Sequence, residues 1–275
     1  YPTQFSPTFD VRGEKVLIQD VKVTSRGSQP YGYGSLLGKG GGNLVPINKK
    51  SAFRAGGVDN IFVGLEIYAR SFGHALTSGG NPSMTFIDCY LEGEMRSTDE
   101  ILQETEGPAH SVNFKNRWTG KRIQPGKMIA LCEDSFRAYP TYGIRGKELG
   151  EIKILGCTAK NTRSAIQLLF GYYDDVFVSN ATLLGNQAAF LLASEARVVN
   201  SKADFTYGPF LKLIENVETK EPQRDIEVDM TVLPPSDTQF LPEIAAQIRN
   251  GIGHRITLRA EKMIEMENPP PIMIE

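Results

Sequence analysis

The sequence predicts an all-β chain wound as a right-handed parallel β-helix, and three observations carry that prediction. Apolar segments with period-two alternation recur along the chain, mostly at intervals of about twenty residues. One large apolar residue returns at the same position of each repeat, as stacked coils require. Turn formers are abundant, with 27 glycines and 16 prolines in 275 residues, so strands must be short. Helical repeats are excluded because the apolar period is two and not 3.6. A leucine-rich repeat is excluded because no LxxLxL frame is present.

The first strands align in order: Val16–Val23, Ile61–Ile67, Thr85–Leu91, Ile152–Ala159, Val176–Thr182 and Arg197–Ala203. Their equivalent positions are Val21, Leu65, Cys89, Cys157, Asn180 and Ser201, spaced by 44, 24, 68, 23 and 21 residues. The two long intervals hold insertions. A second strand follows each first one, and its inward residues form the series Phe53, Leu76, Phe136, Ile166, Phe190 and Phe210. Side chains alternate along a strand, so the neighbouring series point outward. One reads Arg54, Thr77, Arg137, Gln167, Leu191, Leu211; the other reads Lys50, Gly73, Glu133, Arg163, Gln187, Tyr207. The segment Met128–Tyr139 is read as one rung, an apolar strand that turns polar and carries most of the chemistry.

A single β-helix domain over 1–275 is expected, with insertions near 27–48 and 92–127 and a capping region near 216–275. In that cap, Asp225–Val232 suits an edge strand. Leu241–Arg249 suits a short helix with Pro242 at its first position. His254–Arg259 suits a last strand, and the prolines at 269–271 should end regular structure.

Composition narrows the function. With 30 basic and 32 acidic residues, bulk charge gives no reason to expect nucleic acid, so a polyanion site must be a local patch. No run of 18 apolar residues exists, so no membrane span is expected. Cys89, Cys132 and Cys157 sit in apolar strands without CxxC spacing and are expected to be buried free thiols. Nothing in the sequence fixes the oligomeric state.

The first insertion contains Gly38-Lys39-Gly40, but the phosphate-loop spacing is not met. Its Tyr31 and Tyr33 could stack on sugar faces or simply be exposed. In the second, Ser97–Glu104 reads as a helical turn capped by Ser97 or Thr98. Beyond it come His110, Lys115, Arg117 and Trp118, delivered beside the Met128–Tyr139 rung; long loops on rigid scaffolds often carry function.

The outward series gather Lys50, Arg54, Arg137 and Arg163 beside Lys115. Arginine forks bind carboxylates, which suits an acidic polysaccharide or oligosaccharide. A lysine among cations has its charged form disfavoured and can act as a base, while an arginine can stabilise a leaving oxygen. Glu133, Tyr139, Gln167 and Tyr207 complete the candidate substrate contacts, with His74 either a further contact or a turn-capping core histidine. The bland alternative is inter-rung ion pairing, including Glu133 or Asp134 with Arg137 or Arg163. No cofactor is expected. A calcium ion would have to use Glu92, Glu94, Glu133 and Asp134, which lack a recognised spacing.

The runs Ser71–Ala75, Tyr90–Leu102 and Leu131–Tyr139 resemble bacterial β-helix proteins near the alginate lyases of polysaccharide lyase families 6 and 31. The resemblance extends from about Pro30 to Pro235. It implies β-elimination on a uronate polymer by a secreted or periplasmic enzyme, with Lys115 as base and Arg137 as acid. A C5-epimerase and a non-catalytic, tailspike-like glycan binder are the alternatives.

Overall fold

The computed structural model describes residues 8–25, 52–70, 73–79, 83–103, 124–130, 132–139, 151–168, 175–192, 196–214, 223–249, 251–261 and 268–275. These residues form a parallel β-helix. The first five coils have three strands each, not two, because the predicted first strand bends sharply at its centre.

Sheet 1 contains nine strands in chain order: Phe9–Val11, Phe53–Gly56, Gly73–Gly79, Cys132–Tyr139, Ser164–Leu168, Phe190–Leu192, Leu211–Leu213, Ala246–Ile248 and Ile272–Ile274. Sheet 2 begins with Leu17–Gln19, Asn60–Val63, Met84–Ile87, Glu151–Leu155 and Asp175–Ser179. Sheet 3 holds Lys22–Ser25, Glu66–Ala69, Tyr90–Glu92, Thr158–Lys160 and Thr182–Leu184. The two fuse at Arg197–Ala203, a single strand that pairs with the last strand of each.

The bend between sheets 2 and 3 has a cause readable in the residues. Asp20, Asp88, Asn180 and Asn200 have φ between 48° and 54°, and Gly64 and Gly156 take the same left-handed conformation. Asp, Asn and Gly are the residues that tolerate it. Successive corners also stack: a Cβ on Gly64 would lie 2.6 Å from Asp20 Oδ1. The residue after each corner turns inward, giving Leu65, Cys89, Cys157, Ala181 and Ser201, all buried. Asn180 is thus the corner itself and Ala181 the true equivalent of Cys157, one residue later than the sequence alignment placed it. All three cysteines are free and buried.

The inward series of sheet 1 is Phe53, Leu76, Phe136, Ile166 and Phe190, in the expected register. It then continues to Leu211, not Phe210. The shift follows from Gly208, where any Cβ would collide with the backbone carbonyl of Gln187. Gly208 is therefore the neighbour of Gln187, and Tyr207 falls outside that series. In the first coils the interior is aromatic, built of the buried Phe53, Phe62, Phe86 and Phe136 with the exposed Phe9 stacked on its end. Phe9, Phe53, Phe62, Phe86 and Phe136 form a chain of ring contacts with centroids 5.0–5.7 Å apart. Each such pair contributes about 0.5–1.5 kcal/mol beyond area burial.

The C-terminal region departs from the expected cap. Glu227–Val232 is not an edge: it pairs with Arg197–Ala203 on one side and Arg255–Ala260 on the other. Leu241–Arg249 holds no helix; Ala246–Ile248 pairs with Leu211–Leu213. The waiting strand edge outweighs the weak helical signal of Pro242. Regular structure also resumes after the prolines, as Ile272–Ile274 pairs with Ala246–Ile248.

Candidate functional site

The Met128–Tyr139 segment is two elements, not one rung. Met128–Ala130 runs antiparallel to Met95–Ser97, and these two strands form the stem of the second insertion. Above the stem, helix Thr98–Gln103 starts as expected, with Ser97 Oγ accepting the Asp99 N–H at 3.1 Å. The stem is sealed by mutual bonds: Thr98 N–H donates to the Lys127 carbonyl (2.8 Å), and Asp99 accepts the Gly126 N–H. It is fastened to the solenoid by Gln187. That amide accepts the Ala130 N–H and donates to the Met128 carbonyl, both at 3.1 Å.

Cys132–Tyr139 then enters sheet 1 between Gly73–Gly79 and Ser164–Leu168. Its register slips between Cys132 and Asp134, which makes Glu133 the extra residue of a β-bulge. Bulges of this kind re-aim neighbouring side chains and are frequent beside functional sites. Asp134 thereby comes opposite His74 and Ser164. It is fully buried, and its Oδ2 lies 2.7 Å from His74 Nδ1. Arg163 Nη2 stands 3.6 Å from Asp134 Oδ1, which realises the pairing of Asp134 with Arg163 anticipated from sequence. The cluster is a carboxylate held between an imidazole and a guanidinium. A buried charge is tolerated only with such partners.

Beside it lies a second buried polar chain. Asn186 Oδ1 accepts from both the N–H and the hydroxyl of Thr162 (3.0 and 2.9 Å), and its Nδ2 donates to the Ala159 carbonyl at 3.1 Å. The Thr162 hydroxyl also lies 3.1 Å from Ser135 Oγ. Neither Asn186 nor Gln187 was picked out as a positioning residue. The only sequence signal was their polarity inside an otherwise apolar strand pattern.

The remaining predicted residues are distributed as follows. Arg54, Thr77, Arg137 and Gln167 occupy one register series on successive strands of sheet 1. Arg54 Nη1 is 4.0 Å from Asp10 Oδ2, an inter-rung pair of the bland kind. The strand positions of Glu133, Arg137 and Tyr139 are described, and their side chains are not. Gln167 is buried, and among the described residues its Oε1 accepts no hydrogen bond. His74 is buried, in the manner of the core-histidine alternative. Tyr207 packs against Phe240 with centroids 6.3 Å apart; burial, with Asp237 and Asp204 nearby, raises its hydroxyl pKa. Lys50 and Lys115 lie outside the described residues, as do His110, Arg117, Trp118, Tyr31 and Tyr33.

Of the carboxylates considered for calcium, Glu92 is engaged elsewhere. It takes a 2.5 Å ion pair from Arg70 and the hydroxyl of Tyr90. Burial pushes its carboxyl up, but these two donors outweigh that and hold it below the usual carboxylate range. Tyr90 is pushed up to about 12, by burial first and Glu92 second. Among the described residues, no three His, Cys, Asp or Glu side chains gather closely enough to hold a metal ion. Among those residues, no helix is long and apolar enough to cross a membrane.

Compared with known proteins, the chain matches no family model and no curated sequence.

Proposed function

We propose that this chain is a polysaccharide lyase that cleaves a uronate-containing polymer, alginate-like, by β-elimination. The observation that supports this reading best is the series Arg54, Thr77, Arg137 and Gln167 on adjacent strands of sheet 1. Strands about 4.8 Å apart set such residues at intervals close to the length of one sugar ring. The rooted insertion that contains Lys115 leaves the solenoid from the coil between Gly73–Gly79 and Cys132–Tyr139. In this reading a guanidinium offsets the uronate carboxylate, which acidifies the C5 proton. Lys115 removes that proton, and Arg137 stabilises the leaving O4 as the C4–O4 bond breaks and the C4=C5 double bond forms. Secretion or a periplasmic location follows from such a substrate.

The test is a panel of acidic glycans followed by ultraviolet absorbance of the unsaturated product. New absorbance that disappears in Lys115→Ala and Arg137→Ala, with the fold intact by circular dichroism, supports the lyase. Exchange of the C5 proton without chain cleavage would make the protein an epimerase. Binding with neither would make it a glycan-binding β-helix.

A further inference from the structure

The shift that turns Leu211 inward on sheet 1 also settles the place of Lys212. It faces outward between Leu211 and Leu213, both buried. It adjoins Leu191 on one neighbouring strand and Gln247 on the other. Leu191 in turn adjoins Gln167, and Gln167 adjoins Arg137. Lys212 therefore continues the outward series of Arg54, Thr77, Arg137 and Gln167, in the place where alignment of the sequence put Leu211.

The protein itself accommodates this charge poorly. Lys212 is half-buried; burial first, and the Arg249 guanidinium second, lower its pKa. Among the described residues no carboxylate offsets them, and Glu275 is taken up by Arg249 at 2.5 Å. A lysine that served only to cover apolar surface would carry its ammonium out into water. This one is held where its charged form is disfavoured. A cation so placed is stabilised by an arriving anion.

We infer that Lys212 is a substrate-binding residue of the sheet 1 groove, taking a uronate carboxylate about three sugar units from the bond cleaved beside Arg137. The inference rests on the reading of the chain as a uronate lyase, and it adds a requirement for substrate length. Three strand intervals of about 4.8 Å set Lys212 about 14 Å from Arg137 along the series. Between them Gln167 is buried and Leu191 half-buried, so that stretch of the floor offers no charge. A polymer with a carboxylate on every ring meets the next cation of this series at Lys212. Its ammonium, a point charge on a flexible stem, accepts a carboxylate from several directions. A short substrate centred on Arg137 does not reach it.

The experiment compares alginate-derived oligouronates, a trimer and a hexamer, on the whole chain. In Lys212→Met, which keeps much of the stem and removes the charge, the hexamer KM should rise about ten-fold at unchanged kcat, as loss of one charge-assisted hydrogen bond implies. The trimer KM should stay at the wild-type value, and Lys212→Arg should recover the hexamer. The hexamer Kd from titration calorimetry should rise by the same factor, with circular dichroism checking the fold. An unchanged hexamer KM and Kd in natively folded Lys212→Met overturns the inference. So does an equal rise for trimer and hexamer. A wild-type chain that binds the hexamer without cleaving it overturns the lyase reading alone, and the calorimetry then decides for or against Lys212. A wild-type chain that binds neither oligouronate overturns both.

Discussion

Gln187 gives the sharpest test of how the insertion is held. Its amide makes two hydrogen bonds of 3.1 Å to the return strand Met128–Ala130, in a partly buried setting. Each neutral bond contributes about 0.5–1.5 kcal/mol net. Gln187→Met, which keeps most of the volume while removing both bonds, should therefore cost about 1–3 kcal/mol in equilibrium urea unfolding. The loss should be local as well as global. Hydrogen exchange at the Ala130 amide should quicken by more than at Ile166, deep in sheet 1. Because the insertion bearing Lys115 returns through this strand, turnover on a uronate polymer should fall in parallel. Stability within about 0.3 kcal/mol of wild type, with Ala130 exchange unchanged, would refute the view that this amide fastens the stem.

Three further outcomes are expected. Asn186→Ala strips partners from the buried Thr162 N–H and Ala159 carbonyl and should destabilise by about 2–4 kcal/mol in the same unfolding assay. Gly64→Ala puts a Cβ 2.6 Å from Asp20 Oδ1 at a φ of +61° and should cost about 1–2 kcal/mol, read as a lower melting temperature; no change would mean the corner is more plastic than its geometry implies. Glu92 has a depressed pKa in the folded chain, so it contributes stability above the ordinary carboxylate range that is lost as pH falls through its folded pKa. Arg70→Gln should shrink that acid-side loss of stability, which melting temperatures between about pH 3 and pH 7 will register.

The parts of the fold that were legible in the sequence share a physical origin. Phe53, Leu76, Phe136, Ile166 and Phe190 could be aligned because burial demands one apolar residue per coil at a fixed place, and alternation marks it. The third strand was missed although its signal was present. Asp20, Gly64, Asp88, Gly156, Asn180 and Asn200 each precede an inward residue, and a recurring Asp, Asn or Gly inside a strand pattern announces a left-handed corner. The shift from Phe210 to Leu211 hid because both are apolar; only the close approach of Gly208 to Gln187 decides between them. Leu241–Arg249 was misread because strand formation there depends on a partner edge, which no local window contains.

Of the candidate site, the series through Arg54 and Gln167 was legible by counting. The bulge at Glu133 was not, since an extra residue leaves no compositional mark. Its effect was to turn Asp134 toward His74, giving a buried cluster that the adjacent acidic pair only hinted at. The bland reading of Arg54 has its own support in the Asp10 contact.

The antiparallel stem closes the second insertion upon itself before the chain rejoins the coil. Lengthening a loop beyond a closed neck costs only logarithmically in entropy, so the solenoid is nearly indifferent to what is carried there. The neck thus behaves as an exchangeable cassette port: a graft between Ser97 and Met128 should change what the molecule recognises while its stacked core folds as before.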